Sequence, residues 1–563
     1  MTHLDRHRSL LRVRPSQKRA LLLCFALACA VSGRATAQTR SGQRYQIEAK
    51  LNASARTVAG HERIVWRNNS RLAVSELYFH LYANAFADDR SVFIREGGAK
   101  LRGKPKSVRG GIDTLGMRTA GGIDLLGNAV NTLIPNDTTQ LRVPLPSPIA
   151  PGESIELDLT FRVRLPSLLA RMGAADDFFM IAQWFPKLAR LEDDGRWASF
   201  PYHGFGEFYA DFADYELTVE LPDDYVLAAP GRLVSRSRVR EGTRQERYAI
   251  DNAIDIAWVA ARDLTSVRMN DGSTEIEVFA PKGHRRLARK QIELLREGLA
   301  ELANRYGAYP HHRLVLVLPP AFAHGASGME YPGMILGASV DAATEWLPWT
   351  SIEQDAVSAH ELAHQWFPML VATNEVEQPF LDEGLAEWTS LDLLRTRYGK
   401  QSFWPRMLGV SLDHFDVAKA LFARATNTPS SLLPAFAYSR SQLSIAIYLR
   451  PALALESVAH IWGHERLRAA LGLYARTHRF GHPGLHDLAA AFDAVYWTGF
   501  WDHELAPALS DPRSQAALAT NPQSLLHAGR SPPSSATIVN RRPSPLISRL
   551  LLLAQAFLGV LGP

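Results

Sequence analysis

His360-Glu361-Leu362-Ala363-His364, followed by Glu383 in the run Phe380-Leu381-Asp382-Glu383-Gly384-Leu385, decides how the rest of the chain reads. Two histidines four apart lie on one face of a helix, so both imidazoles can reach a single ion. Glu361 is turned about 100° from His360, near that ion without ligating it, where it can take a proton from water. A catalytic zinc wants three protein ligands and one open position. Glu383 fits as the third, because a connecting loop and an antiparallel second helix would bring it back against the histidine face. The competing reading is a solvated helix face with two ordinary histidines, and the carboxylate at 383 weighs against it.

Cysteine use narrows the chemistry further. The only two cysteines, Cys24 and Cys29, lie in an apolar run from Ala20 to Val31. Arg12, Arg14, Lys18 and Arg19 precede that run, and Ala35-Thr36-Ala37 follows it. This is the pattern of an export signal cleaved before Gln38, and its apolar core is too short to span a bilayer. A chain starting at Gln38 would hold no thiol, so thiolate ligands, a thiol nucleophile and disulfides are all excluded. The expected location is periplasmic or secreted. Ala28-Cys29 offers lipid anchoring to a membrane as the alternative.

The formal charge of +5 sits in the same segment. Residues 1–37 carry seven of the 62 Lys/Arg and one of the 57 Asp/Glu, which leaves 55 basic and 56 acidic residues in the remainder. A nucleic-acid partner is not expected, since no basic excess remains on the body. With 563 residues, 46% of them hydrophobic, the chain can bury several cores.

Working outward from the pentad, residues 38–262 read as an N-terminal antiparallel β domain. Tyr45, Ile47, Ala49 and Leu51 alternate with polar residues, as do Tyr215, Leu217, Val219 and Leu221. Leu314 to Leu318 is a continuous apolar run of the kind that forms a buried strand. Helical text then covers Ser351–Trp366, Asp382–Tyr398 and most of Ser439–Arg479. Residues 511–563 are poor in acidic residues and rich in Ser, Pro and Ala, which predicts a disordered tail with a short apolar end.

His360-Glu361-Leu362-Ala363-His364-Gln365-Trp366-Phe367 with Leu381-Asp382-Glu383-Gly384 resembles the M1 family of zinc aminopeptidases, in which the same 18 residues separate the second His from the Glu. Thermolysin-like endopeptidases share the ligand logic with a gap one residue longer. Ser327-Gly328-Met329-Glu330-Tyr331-Pro332 looks like the family's Gly-x-Met-Glu-Asn strand, with Tyr331 in place of Asn. The resemblance implies that Gly328 and Met329 line the path of an extended peptide and that Glu330 holds its free amino group.

It also implies a tyrosine whose hydroxyl stabilises the oxyanion. Tyr448-Leu449-Arg450-Pro451-Ala452 is the preferred match, with Pro in place of the family's Gly, and Tyr438 competes. Gln183, in Gln183-Trp184-Phe185-Pro186, is a second candidate for the amine, beside a purely structural reading.

The fold expected is therefore multidomain α+β: the β domain, a thermolysin-like α/β catalytic domain at 263–398, and a short helical domain at 399–510 completing the active site. The expected function is aminopeptidase action on peptides with a free N-terminus, using one Zn2+ held by His360, His364 and Glu383, with Glu361 and Tyr448 catalytic. The alternatives are a zinc endopeptidase or amidohydrolase on a related fold, or a non-catalytic binding protein on that fold.

Overall fold

The computed structural model describes residues 42–97, 109–131, 133–206, 209–341, 348–407, 410–426 and 428–520. The expected export signal and most of the expected tail lie outside the described residues.

Alternation builds the first half. Arg44–Asn52 buries every second residue, beginning at Tyr45, as the pleat of a half-exposed strand requires. It pairs in parallel with Ala213–Pro222 and antiparallel with Thr57–Arg67. These are the centre of a seven-stranded sheet completed by Thr243–Ala253 and Arg232–Arg240 on one side and Ser154–Arg164 and Gly111–Thr119 on the other. A second, four-stranded sheet includes Phe178–Ile181 and Trp258–Ala261, whose residues are all buried. Trp184 meets Trp258 edge-on at 5.9 Å in the shared core.

Next comes a five-stranded sheet in the order Leu264–Asp271, Thr274–Pro281, Arg313–Val317, Met334–Leu336, Met329–Tyr331. Arg313–Val317 is wholly buried between two parallel neighbours, the environment its unbroken apolar run predicts. Met329–Tyr331 is the edge strand, antiparallel to Met334–Leu336 through a two-residue turn. Pro332 fixes one φ of that turn, and Gly333 supplies the positive one at +73°.

Helices Arg285–Tyr306 and Pro348–Ala363 pack beside this sheet, and helix Glu383–Tyr398 packs against Pro348–Ala363. Gly384 lets the last of these approach helix Arg450–Trp462, since a Cβ there would stand 2.6 Å from Pro451 Cβ. The proline that replaces the family's glycine at 451 is therefore accommodated by a glycine across the interface.

One continuous core runs from Ile276 to Leu518, so the expected catalytic and helical domains share their interior. The segment Ala435–Tyr448 packs instead into the core of the N-terminal sheets. Tyr448 and Leu449 thus stand where the two cores meet.

One expectation is corrected. The predicted tail includes a helix, Ser514–Thr520, with Leu518 fully buried. Its short Gln-Ala-Ala-Leu-Ala text is helix-forming, and an apolar side chain with somewhere to pack outweighs the polar composition around it.

Candidate functional site

The His360-Glu361-x-x-His364 stretch closes helix Pro348–Ala363, and Glu383 opens helix Glu383–Tyr398. The two helices pack together and bring three donors to one point. His360 Nε2 lies 3.0 Å from His364 Nε2 and 3.1 Å from Glu383 Oε2, and His364 Nε2 is 3.3 Å from that same oxygen. A tetrahedral zinc with bonds of about 2.0–2.1 Å has donor–donor edges of about 3.3–3.4 Å, so the triangle fits the ion with little movement.

The other nitrogens of the imidazoles are backed by carboxylates. His364 Nδ1 is 2.6 Å from Asp382 Oδ1 and 2.7 Å from the Phe367 carbonyl oxygen. His360 Nδ1 is 3.0 Å from Glu387 Oε2. Such partners fix the tautomer that points Nε2 at a metal. Neither carboxylate was singled out from sequence. Glu387 could have been, since it stands four residues after Glu383 and repeats the spacing of the histidine pair.

Charge makes the same demand for a cation. Against the cost of burial, Glu383 and Glu387 push His360 up to about 10, and Asp382, Glu330 and Glu383 raise His364 well above the ordinary imidazole range. Glu383 is held low in spite of burial by His364 and His360.

Glu361 is buried beside the triangle, and its carboxylate lies within 4.8 Å of donor atoms on Glu330 and His364. Burial, then the Glu330 charge, raises its carboxyl to about 8, while the two histidines oppose the shift. A bound cation would oppose it further.

Glu330 reaches the site from the edge strand, and burial raises its carboxyl as well. The hairpin carrying it is stapled to the ligand helix by Gln365, whose Oε1 accepts from Gly333 N at 2.9 Å and whose Nε2 donates to Tyr331 O at 3.1 Å. Gln365 follows His364 directly and escaped sequence reading because its task appears only once the hairpin is in place. Gly328 (φ +63°) donates its N–H to Leu336 O at 3.0 Å, and Met329 Sδ accepts from Arg171 Nε at 2.9 Å. Arg171 is buried with φ +78°, and its guanidinium charge acts on Glu330. No spacing in the sequence marks it.

The two tyrosines separate cleanly. Tyr448 lies in a π-helical turn, Ser444–Leu449, with its ring stacked on His360 at 5.8 Å and its hydroxyl donating to Glu383 Oε1. Single π turns of this kind are frequent at functional sites. Tyr438 instead ties down its own loop, donating to Ser430 O at 2.6 Å and accepting from Leu433 N at 3.2 Å. Gln183 is buried with φ +50°, and its Oε1 accepts from Lys187 Nζ at 3.5 Å, the lysine that pairs with Asp255 at 2.6 Å.

Comparison with known proteins agrees with this geometry. Residues 291–499 match the peptidase family M1 domain. Aminopeptidase 2 of Candida albicans is 26% identical over 231 residues, 40% of this chain and 24% of that protein. Aminopeptidase M1-B of Oryza sativa is 25% identical over 291 residues, 50% of this chain and 32% of that protein. The chain thus spans a quarter to a third of the length of these relatives. An M1 zinc metallopeptidase from Deinococcus radiodurans shares the fold, with a TM-score of 0.56 at 17% identity over 84% of this chain and 95% of that one.

Proposed function

We propose that this chain, which carries a peptidase family M1 domain over residues 291–499, is a zinc-dependent aminopeptidase that removes the first residue of peptides with a free amino end. One observation carries the reading: a buried carboxylate on the edge strand of the sheet, Glu330, stands within 4.8 Å of donor atoms on Glu361 and His364. A group that holds the substrate's ammonium so near the reacting centre makes the first peptide bond the one that is cut.

His360, His364 and Glu383 would hold the ion, with Asp382 and Glu387 orienting the imidazoles. Zinc bound there supplies a Lewis acid that polarises the scissile carbonyl and makes water acidic near neutral pH. A peptide entering in extended form can pair with the edge strand Met329–Tyr331. Glu330 accepts its ammonium group. Glu361 takes the proton of the attacking water and returns it to the departing amine. Tyr448, already aimed at the donor triangle, donates to the oxygen that becomes negative as the carbonyl is attacked. Residues 1–37 support export as part of the same proposal.

Glu361→Gln tests the reading. It preserves shape and removes the proton acceptor, so zinc should remain at one per chain while turnover falls by at least ~10²-fold. Turnover within a few-fold of wild type would rule out the proton path assigned to Glu361.

A further inference from the structure

We infer that Gln365 is a positioning residue: it fixes the span between Glu330 and the His360–His364–Glu383 triangle, and with it the selectivity for a free amino end. The inference rests on the aminopeptidase reading and extends it. Gln365 follows His364 directly in the chain, and Tyr331 follows Glu330. One hydrogen bond, from Gln365 Nε2 to Tyr331 O at 3.1 Å, therefore joins the carboxylate on the edge strand to the donor triangle through adjacent residues on each side.

The partners of this side chain leave its amide one orientation. Oε1 accepts from Gly333 N at 2.9 Å and from the Tyr309 hydroxyl at 3.4 Å, while Nε2 donates to Tyr331 O. A flipped amide would set N–H against N–H and oxygen against oxygen. The amide thus reads one N–H and one C=O of the Tyr331–Met334 turn together, much as a neighbouring strand would. Gln365 is buried, as are Tyr331 and Gly333, so these backbone groups are satisfied by the side chain rather than by bulk water.

The same turn abuts the first half of the chain. A Cβ at Gly333 would stand 3.1 Å from Ile250 Cδ1 and 3.2 Å from Pro230 Cβ. A turn released from Gln365 is free to settle against those neighbours, and Glu330 moves with it. The consequence is large for a small shift, since a misplacement of about 1 Å can cost about 10²-fold in rate. Zinc binding has no such dependence, because Gln365 touches none of the three donor side chains through its amide.

The test compares an aminoacyl substrate with its desamino analogue, in which hydrogen replaces the ammonium group, using zinc-loaded protein. Gln365→Met keeps the length of the side chain and removes its hydrogen bonds. It should lower kcat/KM for the free amine about tenfold or more, with desamino hydrolysis and zinc content within about twofold of wild type. In a Glu330→Ala background the same substitution should add less than about twofold, because its effect passes through Glu330. Gln365→Glu keeps acceptors for Gly333 and Tyr309 and loses the N–H for Tyr331, so its selectivity should fall between wild type and Gln365→Met; if the Met variant does not fold, this one decides. Equal losses for both substrates, full additivity with Glu330→Ala, or unchanged selectivity would make Gln365 a structural residue and overturn the inference while leaving the aminopeptidase reading intact. Equal hydrolysis of both substrates by the wild type would instead remove the reading itself, and the inference with it.

Discussion

Asp382→Asn is the perturbation whose size the geometry sets most closely. Asp382 Oδ1 approaches His364 Nδ1 to 2.6 Å in a fully buried setting, but the Phe367 carbonyl oxygen stands only 2.7 Å from the same nitrogen. The substitution removes charge and keeps a possible acceptor, and the carbonyl continues to favour the tautomer that turns Nε2 toward the ion. A charged hydrogen bond contributes roughly 1.5–3 kcal/mol and a neutral one about 0.5–1.5, so the loss is about 1–1.5 kcal/mol. At 1.4 kcal/mol per decade, zinc should bind about tenfold more weakly, the mild end of the range for such supporting groups. Competition against a chromogenic chelator measures this directly, and activity should recover at saturating zinc. An unchanged competition curve would mean that Asp382 does not support His364. Zinc binding lost beyond recovery would mean that Asp382 belongs to the ligand set.

Three further outcomes are expected. Tyr448→Phe should lower kcat by roughly 10²-fold with KM and zinc content little changed, because its hydroxyl acts only as charge develops; a loss confined to KM would assign it to binding. Glu62 is fully buried, neither of its oxygens has a hydrogen-bond partner among the described residues, and burial raises its carboxyl well above the usual range. The folded state therefore keeps this proton longer than the unfolded chain, and its contribution to stability is lost as pH rises above about 4.3. Glu62→Gln should gain on the wild type by up to about 1.4 kcal/mol per pH unit from pH 5 upward, read from denaturant midpoints; a constant difference would refute the assignment. The mature N-terminus should be found near Gln38 in an exported fraction, and an intact Met1 in a cytoplasmic pool would contradict export.

The His360–His364–Glu383 donor group was legible because its geometry is local. A spacing of four on a helix places His360 and His364 together whatever the rest of the chain does, and the family's interval supplied Glu383. The alternating strands of the first half were legible for the same reason, since the pleat imposes period two on Tyr45–Leu51 and Tyr215–Leu221. What stayed hidden depends on segments meeting across the fold. Arg171 comes to Glu330 from a distant loop, and Gln365 acquires its role from a hairpin some 30 residues earlier. The choice between Tyr448 and Tyr438 was open in sequence because both precede an arginine by two residues. A π turn that aims one hydroxyl at the ligands, and a loop that consumes the other, separates them. The helix Ser514–Thr520 was missed because composition was averaged over a window much longer than the helix.

The central claim is that a carboxylate pocket beside the metal fixes the free amino end. The most direct measurement takes one peptide with its amino end free and its twin with that end acetylated, and follows release of the first residue by zinc-loaded wild-type protein. Acetylation removes the positive charge and adds bulk where Glu330 sits, so the free peptide should lose its first residue while the acetylated twin is cut at least tenfold more slowly. Equal cleavage of the two, or cleavage at internal bonds, would contradict the account and make an endopeptidase the better description.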